Sequence, residues 1–309
     1  MSDNIIEAIN ISKSYAKKEA LKNINLTVPR GSVYGLLGPN GAGKTTFIRI
    51  LTQIIGPDSG EILLNGKPMQ RSDIEHIGYM PEERGLYKKM KVGEQVEYFS
   101  RLKGMSKEQT FDAIKYWFNV FDIKDWYGKK MEELSKGMQQ KVQFIVTVIH
   151  KPSLIILDEP FSGFDPLNAE LVRDQILKLR DEGASVILST HRMESVEELC
   201  DHISLINNSQ KVIEGKVSDI QLQFKENLFE INLRSDPGKI PDLKAWGYQI
   251  HSSNEQGDGS VTMRFMANKD AVSNDILQHF MPIGQVNSFK EVLPSINDVF
   301  IKLVKGETK

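Results

Sequence analysis

The sequence predicts an α/β fold, in which helices cover a parallel sheet and a small α+β domain follows at the C-terminal end. Short apolar runs alternate with helical patterns along the first two thirds of the 309-residue chain, which is typical of a parallel sheet. Residues 154–157 are all apolar, as expected of a strand that is buried on both faces. Residues 186–188 are also all apolar, and residues 203–206 are apolar except for Ser204.

An antiparallel β subdomain is predicted near the start of the chain. Apolar residues alternate along two segments there, and a turn at 56–60 precedes a further apolar segment that ends in the hairpin signal Asn65-Gly66. From about residue 91 to 151 the apolar spacing is helical instead, and we expect Trp117 and the neighbouring aromatic residues to be core. The alternating residues of the first two segments are Ile5, Ile9, Ile11, Ile24, Leu26 and Val28.

A glycine-rich segment lies between an apolar strand pattern and a helical pattern. It fits the spacing G-x-x-x-x-G-K-[ST], in which backbone N–H groups cradle a polyphosphate. In such a loop Lys44 bridges the β- and γ-phosphates, and the Thr45 hydroxyl holds Mg²⁺. The alternative is a glycine-rich turn that binds no ligand, but strand, loop, Lys44 and Thr45 are all in register. The segment comprises Gly38, Pro39, Asn40, Gly41, Ala42, Gly43, Lys44, Thr45 and Thr46.

Two carboxylates, Asp158 and Glu159, directly follow the apolar run 154–157. Open α/β sheets bind their ligands at the carboxyl ends of the strands, so both side chains are expected beside a ligand. Asp158 suits a Mg²⁺ shell, and Glu159 is placed to polarise an attacking water. An acidic helix N-terminus is the alternative, but Pro160 disfavours a helix that begins at Asp158. Hydrolysis of a nucleoside triphosphate is the favoured interpretation.

A third motif occupies residues 134–138, where Ser135 suits a helix N-cap and Gly137 follows in the first turn. By itself this motif is an ordinary helix start. In this order and spacing, however, the three motifs resemble the ATP-binding subunit of an ATP-binding-cassette (ABC) transporter over roughly residues 4–220. The resemblance implies that Tyr15 stacks on adenine and that His191 contacts the γ-phosphate. It also implies that residues 161–165 contact a second subunit.

The same resemblance implies an organisation and a set of partners. A P-loop NTPase core with the antiparallel β subdomain and a helical subdomain (about 90–150) is expected in residues 1–220, and an accessory α+β domain in 221–309. Within that domain the residue patterns predict strands at 229–233 and 261–265, loops at 235–238 and 252–259, and a closing helix at 295–304. Ser135 and Gly137 of a second cassette, in a homodimer or a paralogous pair, are expected to cap the γ-phosphate of ATP. An integral-membrane permease is expected to dock beside residues 81–87. The alternative for Leu86 and Tyr87 is packing beneath the helical subdomain.

Two departures from the usual family pattern resemble an export subgroup, which includes sodium-extrusion and drug-export ATPases. Glu82 follows Pro81 where the family usually has Gln. Lys136 and Met138 replace a Gly and a Gln of the usual signature motif. Glu82 is therefore a candidate metal-site residue, and its role in place of Gln stays open.

Composition and charge restrict the remaining function classes. Lys and Arg total 39 against 41 acidic residues, so no nucleic-acid partner is expected. Cys200 is the single cysteine, and we expect its thiol to be buried. One cysteine cannot form an internal disulfide, which suits a reducing cytosol. No apolar run approaches the ~20 residues of a membrane span. We expect a cytoplasmic ATPase, peripheral on the inner face of the cell membrane. The rival is a cassette ATPase of translation or DNA maintenance. Translation factors of this superfamily normally carry two cassettes in one chain, and the DNA-maintenance type has long coiled-coil insertions. This sequence has one glycine-rich loop and no heptad run long enough for such an arm.

Overall fold

The computed structural model describes residues 3–16, 18–83, 85–191, 193–235, 243–268 and 270–305. The chain divides into two compact units, Met1–Val217 and Ser218–Lys309. Within the described residues, no helix is both long enough and apolar enough to cross a membrane.

The first unit contains ten strands and six helices among the residues that the structure describes. The strands are β1 (Asn4–Tyr15), β2 (Lys18–Pro29), β3 (Val33–Leu37), β4 (Ser59–Leu64), β5 (Lys67–Pro68), β6 (Ile77–Met80), β7 (Leu154–Asp158), β8 (Ser185–Thr190), β9 (His202–Asn207) and β10 (Gln210–Lys216). The helices are α1 (Lys44–Leu51), α2 (Val92–Leu102), α3 (Lys107–Val120), α4 (Lys136–Val148), α5 (Pro166–Asp181) and α6 (Glu194–Leu199).

A six-stranded sheet in the order β10-β9-β3-β8-β7-β6 forms the centre of this unit. Strands β9, β3, β8, β7 and β6 run parallel to one another, and β10 joins β9 antiparallel. Every residue of β3, β7 and β8 is buried, as expected of strands covered on both faces. The predicted parallel sheet is therefore confirmed, and it aligns the carboxyl ends of β3, β7 and β8 at one edge.

A four-stranded antiparallel sheet in the order β2-β1-β4-β5 forms the predicted β subdomain. The expected alternation along β1 is only partly right. Ile5 and Ile11 are buried, but Ile9 is half-buried, and Ile6 and Ala8 are buried instead. The β1–β2 register shifts between Ala8 and Ile11, and this irregularity moves the buried face along the strand.

The region 91–151 is helical, as its apolar spacing predicts, and consists of α2, α3 and α4. Trp117 is 6% exposed and packs against Phe121 and Phe144, with ring centroids 6.1 and 6.2 Å away. Its assignment to the core is confirmed. Phe111 is an exception, because 58% of it is exposed and Lys115 lies over its ring. Cys200 follows α6 and is buried, and burial raises the pKa of its thiol.

The second unit is built on a four-stranded antiparallel sheet. Its order is β12-β13-β11-β14, formed by β11 (Leu228–Ser235), β12 (Gln249–Glu255), β13 (Ser260–Met266) and β14 (Gly284–Val292). Helix α7 (Val217–Gln223) begins at the last residue of the first unit, and α8 (Ser273–Phe280) and α9 (Ile296–Lys305) follow. The strands expected at 229–233 and 261–265 and the closing helix are confirmed. The loop expected at 252–259 is wrong in part, because residues up to Glu255 belong to β12; the loop expected at 235–238 lies largely outside the described residues.

Candidate nucleotide-binding site

The glycine-rich loop connects the carboxyl end of β3 to the N-terminus of α1. All three of its glycines have positive φ, +146° at Gly38, +78° at Gly41 and +116° at Gly43, which side chains rarely adopt. A Cβ atom at Gly38 would lie 2.1 Å from the Ile206 carbonyl oxygen, and one at Gly43 would lie 2.5 Å from the Ala20 carbonyl oxygen. Only glycine fits at either position, so the loop follows the path that the motif predicts.

Lys44 begins α1 and is folded back over the loop. Its Nζ donates to the carbonyl oxygens of Gly38, at 2.6 Å, and Pro39, at 3.2 Å. Burial lowers the pKa of this ammonium group, and the charges of Glu159, Asp158 and Glu82 oppose the shift. One ammonium group among three carboxylates leaves this cluster net negative, which favours a further cation beside Lys44 when a polyphosphate binds.

Thr45 and Asp158 meet beside the loop. The Thr45 hydroxyl donates to Oδ2 of Asp158 at 3.4 Å, across 113 residues of sequence. Burial raises the pKa of Asp158, and the Ser189 hydroxyl on the neighbouring strand opposes this shift. Two hard oxygen donors at this separation fit one Mg²⁺, whose adjacent ligands lie about 3 Å apart. The residues present therefore suit the cation that the motif implies.

Glu159 is held by three hydrogen-bonding groups at the end of β8. Its Oε1 accepts from the His191 backbone N–H at 3.0 Å and lies 2.7 Å from Nδ1 of His191. Its Oε2 accepts from the Thr190 hydroxyl at 3.3 Å. Glu159 also has a left-handed φ of 50°, a conformation that costs a residue with a side chain about 1–3 kcal/mol. The structure thus brings together two predicted residues that are 32 positions apart.

Glu82 lies close enough to this cluster to act on its charges. It follows Pro81 beyond the carboxyl end of β6, and its charge raises the pKa of both Lys44 and Asp158. Tyr15 ends β1, and 45% of its surface is exposed. Thr46 lies in the first turn of α1 and is half-buried.

Ser135 and Gly137 stand apart from this cluster. Ser135 is the N-cap of α4, and its Oγ accepts from the Met138 N–H at 3.3 Å. A Cβ atom on Gly137 would lie 3.2 Å from the Gly163 carbonyl oxygen, so this motif packs against the segment 161–165. Throughout the described part of the chain, no hydrogen bond or ion pair joins Ser135 to the glycine-rich loop.

Sequence reasoning missed three polar side chains on one face of α4. Gln140, Gln143 and Thr147 follow the spacing i, i+3, i+7, and all three are at least nine-tenths buried. Gln143 Nε2 donates to the Pro81 carbonyl oxygen at 2.8 Å, and Gln140 Nε2 donates to that of Pro160 at 3.5 Å. These bonds tie α4 to the residues that adjoin Glu82 and Glu159. Polar residues at helical spacing within a largely apolar helix pattern are the sequence signal that could have identified them.

Comparison with known families agrees with this geometry. Residues 21–162 match the family model described as "ABC transporter". Residues 215–304 match the model of the "ATP-binding protein DrrA1-3-like, C-terminal domain".

Curated relatives match most of the chain. The uncharacterised ABC transporter ATP-binding protein YhaQ of Bacillus subtilis is 40% identical over 300 residues, which cover 96% of this chain and 97% of YhaQ. The lantibiotic transport ATP-binding protein SrtF of Streptococcus pyogenes is 33% identical over 222 residues, or 72% of this chain and 93% of SrtF.

A solved ATP-binding cassette, MJ0796, described as a dimer in a post-hydrolysis state with ADP and Pi, has a similar fold. Its TM-score is 0.63 at 23% identity, covering 68% of this chain and 98% of that one. The resemblance that the motifs predict is thereby confirmed. The chain belongs to the ATP-binding proteins of ABC transporters, which hydrolyse ATP to power a separate membrane permease.

Proposed function

We propose that this chain hydrolyses Mg²⁺-ATP to drive export through its permease. The observation that carries this proposal is the convergence of Lys44, Thr45, Asp158 and Glu159 at one edge of the parallel sheet. Two similarities favour export: SrtF is named for lantibiotic transport, and the second unit matches a domain of DrrA-like proteins. Export is also favoured by Glu82, Lys136 and Met138, the residues at which this chain departs from the usual family motifs.

ATP contacts are assigned first to the glycine-rich loop. Residues 38–46 hold the phosphates through their backbone N–H groups, and Lys44 moves from the loop carbonyls to the β- and γ-phosphates. Tyr15 stacks on the adenine. Thr45 and Asp158 would hold Mg²⁺, with Glu82 as a further oxygen donor, and the bound cation would neutralise phosphate charge.

Glu159 is the general base in this proposal. Its contacts with His191 and Thr190 orient the carboxylate, so that it can accept a proton from the attacking water. The His191 side chain remains 53% exposed, so its ring is accessible to the γ-phosphate while Nδ1 stays beside Glu159. The short Glu159–His191 contact supports a joint role in positioning the water.

A second cassette completes the site in the ATP-bound state. The phosphates are covered from one side by the loop, whereas Ser135 and Gly137 begin a helix with unsatisfied N–H groups that attract negative charge. We therefore assign these residues to the ATP of a partner cassette, in a homodimer or a paralogous pair. The dimeric state described for MJ0796 supports this assignment.

The permease docks, in this proposal, at a groove of about 580 Å³ whose lining includes Pro81, Leu86, Phe99 and Gln143. Leu86 is half-buried in it, and 53% of Tyr87 is exposed, with its ring stacked on Phe99 at 6.1 Å. An exposed aromatic residue beside an apolar groove fits a protein partner better than packing beneath the helical subdomain. Such docking would place the chain at the inner face of the cell membrane.

ATP handling is assigned to residues 1–220, and residues 221–309 form an accessory domain. The test of the whole proposal is ATP hydrolysis by the purified chain with Mg²⁺, with EDTA, and after reconstitution with its permease. Turnover that requires Mg²⁺ and rises with the permease is expected. Turnover that EDTA leaves unchanged would contradict the Mg²⁺ assignment.

A further inference from the structure

A cavity of about 710 Å³ lies in the first unit, away from the residues assigned to ATP. The end of α2, helix α3, the residues after α4 and the second half of α5 enclose it. Its size falls within the range of about 300–1,000 Å³ that is usual for small-molecule sites. We call it the helix cavity.

One wall of the helix cavity is aromatic and apolar. Trp117, Ile149 and Leu179 contribute to it and are each at least nine-tenths buried. The ring of Tyr116 meets that of Trp117 edge-on, with centroids 5.2 Å apart. Flat aromatic surfaces of this kind favour a planar ligand.

Buried polar atoms beside this wall lack a full set of hydrogen-bond partners. Oε1 of Gln175 has no hydrogen bond to any described residue, and the ring nitrogens of His150 have none beyond a weak contact with the Ile77 backbone. Burial, aided by the charge of Lys103, lowers the pKa of His150 to about 4, so the ring is neutral at pH 7. It then offers one donor and one acceptor. Buried polar groups are normally paired, so these atoms indicate a bound molecule that carries donors and acceptors of its own.

The charges at the cavity favour an anion. Lys103, Lys151 and Lys178 line it, against the acidic residues Asp112 and Glu182. Lys178 is held in place, because its Nζ donates to the Tyr116 hydroxyl at 2.8 Å. A neutral His150 leaves the three lysines in excess over the two acidic residues.

We propose that the helix cavity binds a small planar organic anion that also carries a hydrogen-bond donor. The ring of the ligand packs on Trp117, its anionic group pairs with Lys178, and its donor reaches Oε1 of Gln175. Neutral molecules of the same shape lack the charge pairing and bind more weakly.

Lys103 links this cavity to the groove assigned to the permease, since it lines both. Its Nζ donates to the carbonyl oxygen of Ile74 at 2.6 Å, in the turn before β6, and to that of Ile77 at 2.9 Å, at the start of β6. A bound anion competes for this ammonium group and weakens its hold on the segment that leads to Glu82. Occupancy of the cavity is therefore expected to lower ATP turnover. This effect on turnover rests on the proposed function of the chain, whereas the binding of a ligand to the cavity does not.

The test uses calorimetric titration of the full chain with 6-hydroxy-2-naphthoate, a planar carboxylate whose single hydroxyl donor lies too far from the carboxylate to bond with it. We expect saturable binding of one molecule per chain and about tenfold weaker binding of uncharged 2-naphthol, as for loss of one charge-assisted hydrogen bond. Removing the donor, in 2-naphthoate, should weaken binding by a smaller factor. Absence of binding at millimolar ligand, or equal affinity for the neutral analogue, overturns the proposal.

Matched variants locate the site. Lys178→Glu should weaken binding about tenfold, whereas Lys115→Glu, the same change on α3 outside the cavity lining, should leave it unchanged. Both lysines are exposed, so neither variant should unfold the chain. Equal affinity in the two variants overturns the location. Saturating ligand should also lower ATP turnover in the wild type. Binding without that effect would overturn the proposed effect on turnover but would still support the binding site.

Discussion

The central sheets of the two units differ in where their charged residues lie and in what those residues contact. In the first unit, Asp158 and Glu159 follow fully buried strand residues and are themselves buried beside Lys44. In the second unit, Glu230 lies in the middle of β11, where Arg264 and Lys290 pair with it at 2.6 and 2.9 Å on the outer face of the sheet. Charges of the first kind are arranged for a ligand, whereas those of the second kind neutralise one another. Substitutions should therefore change activity in the first unit and only stability in the second.

The largest effect is expected for Glu159→Gln. The amide cannot accept a proton from water, so turnover should fall by about 10²–10⁴-fold while ATP still binds. Lys44→Ala should instead weaken ATP binding, because the phosphates lose their cation. Measured affinity and steady-state hydrolysis separate these effects, and near wild-type turnover in Glu159→Gln would remove this residue from the role of base.

The next effect concerns assembly. In the Glu159→Gln background, Ser135→Arg should abolish the ATP-dependent dimer, because the bulky cation occupies the position assigned to the partner's γ-phosphate. Loss of the N-cap alone costs about 1 kcal/mol. Ser106→Arg is the matched control, since Ser106 caps α3 in the same way. Light scattering that shows an ATP-induced dimer in the control but not in the Ser135 variant is expected; a dimer in both would exclude the composite site.

Docking on the permease should respond to the groove residues. Replacing Leu86 and Tyr87 by Ser removes the apolar contact but leaves the ATP site intact, so the subunit should bind ATP yet fail to co-purify with its permease. Phe111→Ser, which changes another exposed aromatic side chain, should co-purify normally. Wild-type recovery of the double variant, or its unfolding, would support packing beneath the helical subdomain.

A smaller effect is expected for Gln143→Met, which keeps the shape and removes the donor to Pro81. Turnover should fall about fivefold, or about 1 kcal/mol, since the segment bearing Glu82 loses a hydrogen bond. Ser100→Ala removes a buried hydroxyl whose one hydrogen bond to a described residue lies within α2, and it should leave turnover unchanged. If Gln143 acts through Glu82, its effect should shrink in a Glu82→Gln background, and additive losses would argue against this link.

The smallest effect is expected in the second unit, for Glu230→Gln. Hydrogen bonds from Lys290 and Arg264 lower the pKa of Glu230, so its contribution to stability is present above the ordinary pKa and is lost as pH falls through the lowered one. Since Arg264 and Lys290 are exposed, the loss at pH 7 should be about 0.5–1 kcal/mol. Denaturant titrations at pH 7 and pH 3 measure it, and ATP turnover should not change. A large loss of turnover would contradict the expectation that substitutions in the second unit change stability only.

The residues of each short motif were predictable from the sequence, whereas contacts between residues far apart in the chain were not. Gly38 and Lys44 are part of a motif with fixed spacing, and the run before Asp158 has the pattern of a buried strand. The 2.7 Å contact between Glu159 and His191 depends on the left-handed turn at Glu159, which no periodicity indicates. The register shift in β1 and the polar strand residues up to Glu255 were missed for a related reason. Strand pairing there is decided by neighbouring strands and not by local apolar alternation.

The close fit of Gly38 and Gly43 has a consequence for the energetics of binding. Both glycines lie against backbone carbonyls of other segments, at Ile206 and Ala20, so the protein itself fixes the shape of the loop. An arriving nucleotide meets N–H groups that are already oriented and pays little conformational entropy to order them. Variation in the segments around residues 20 and 206 should therefore tune nucleotide affinity from a distance, without any change in a residue that touches the phosphates.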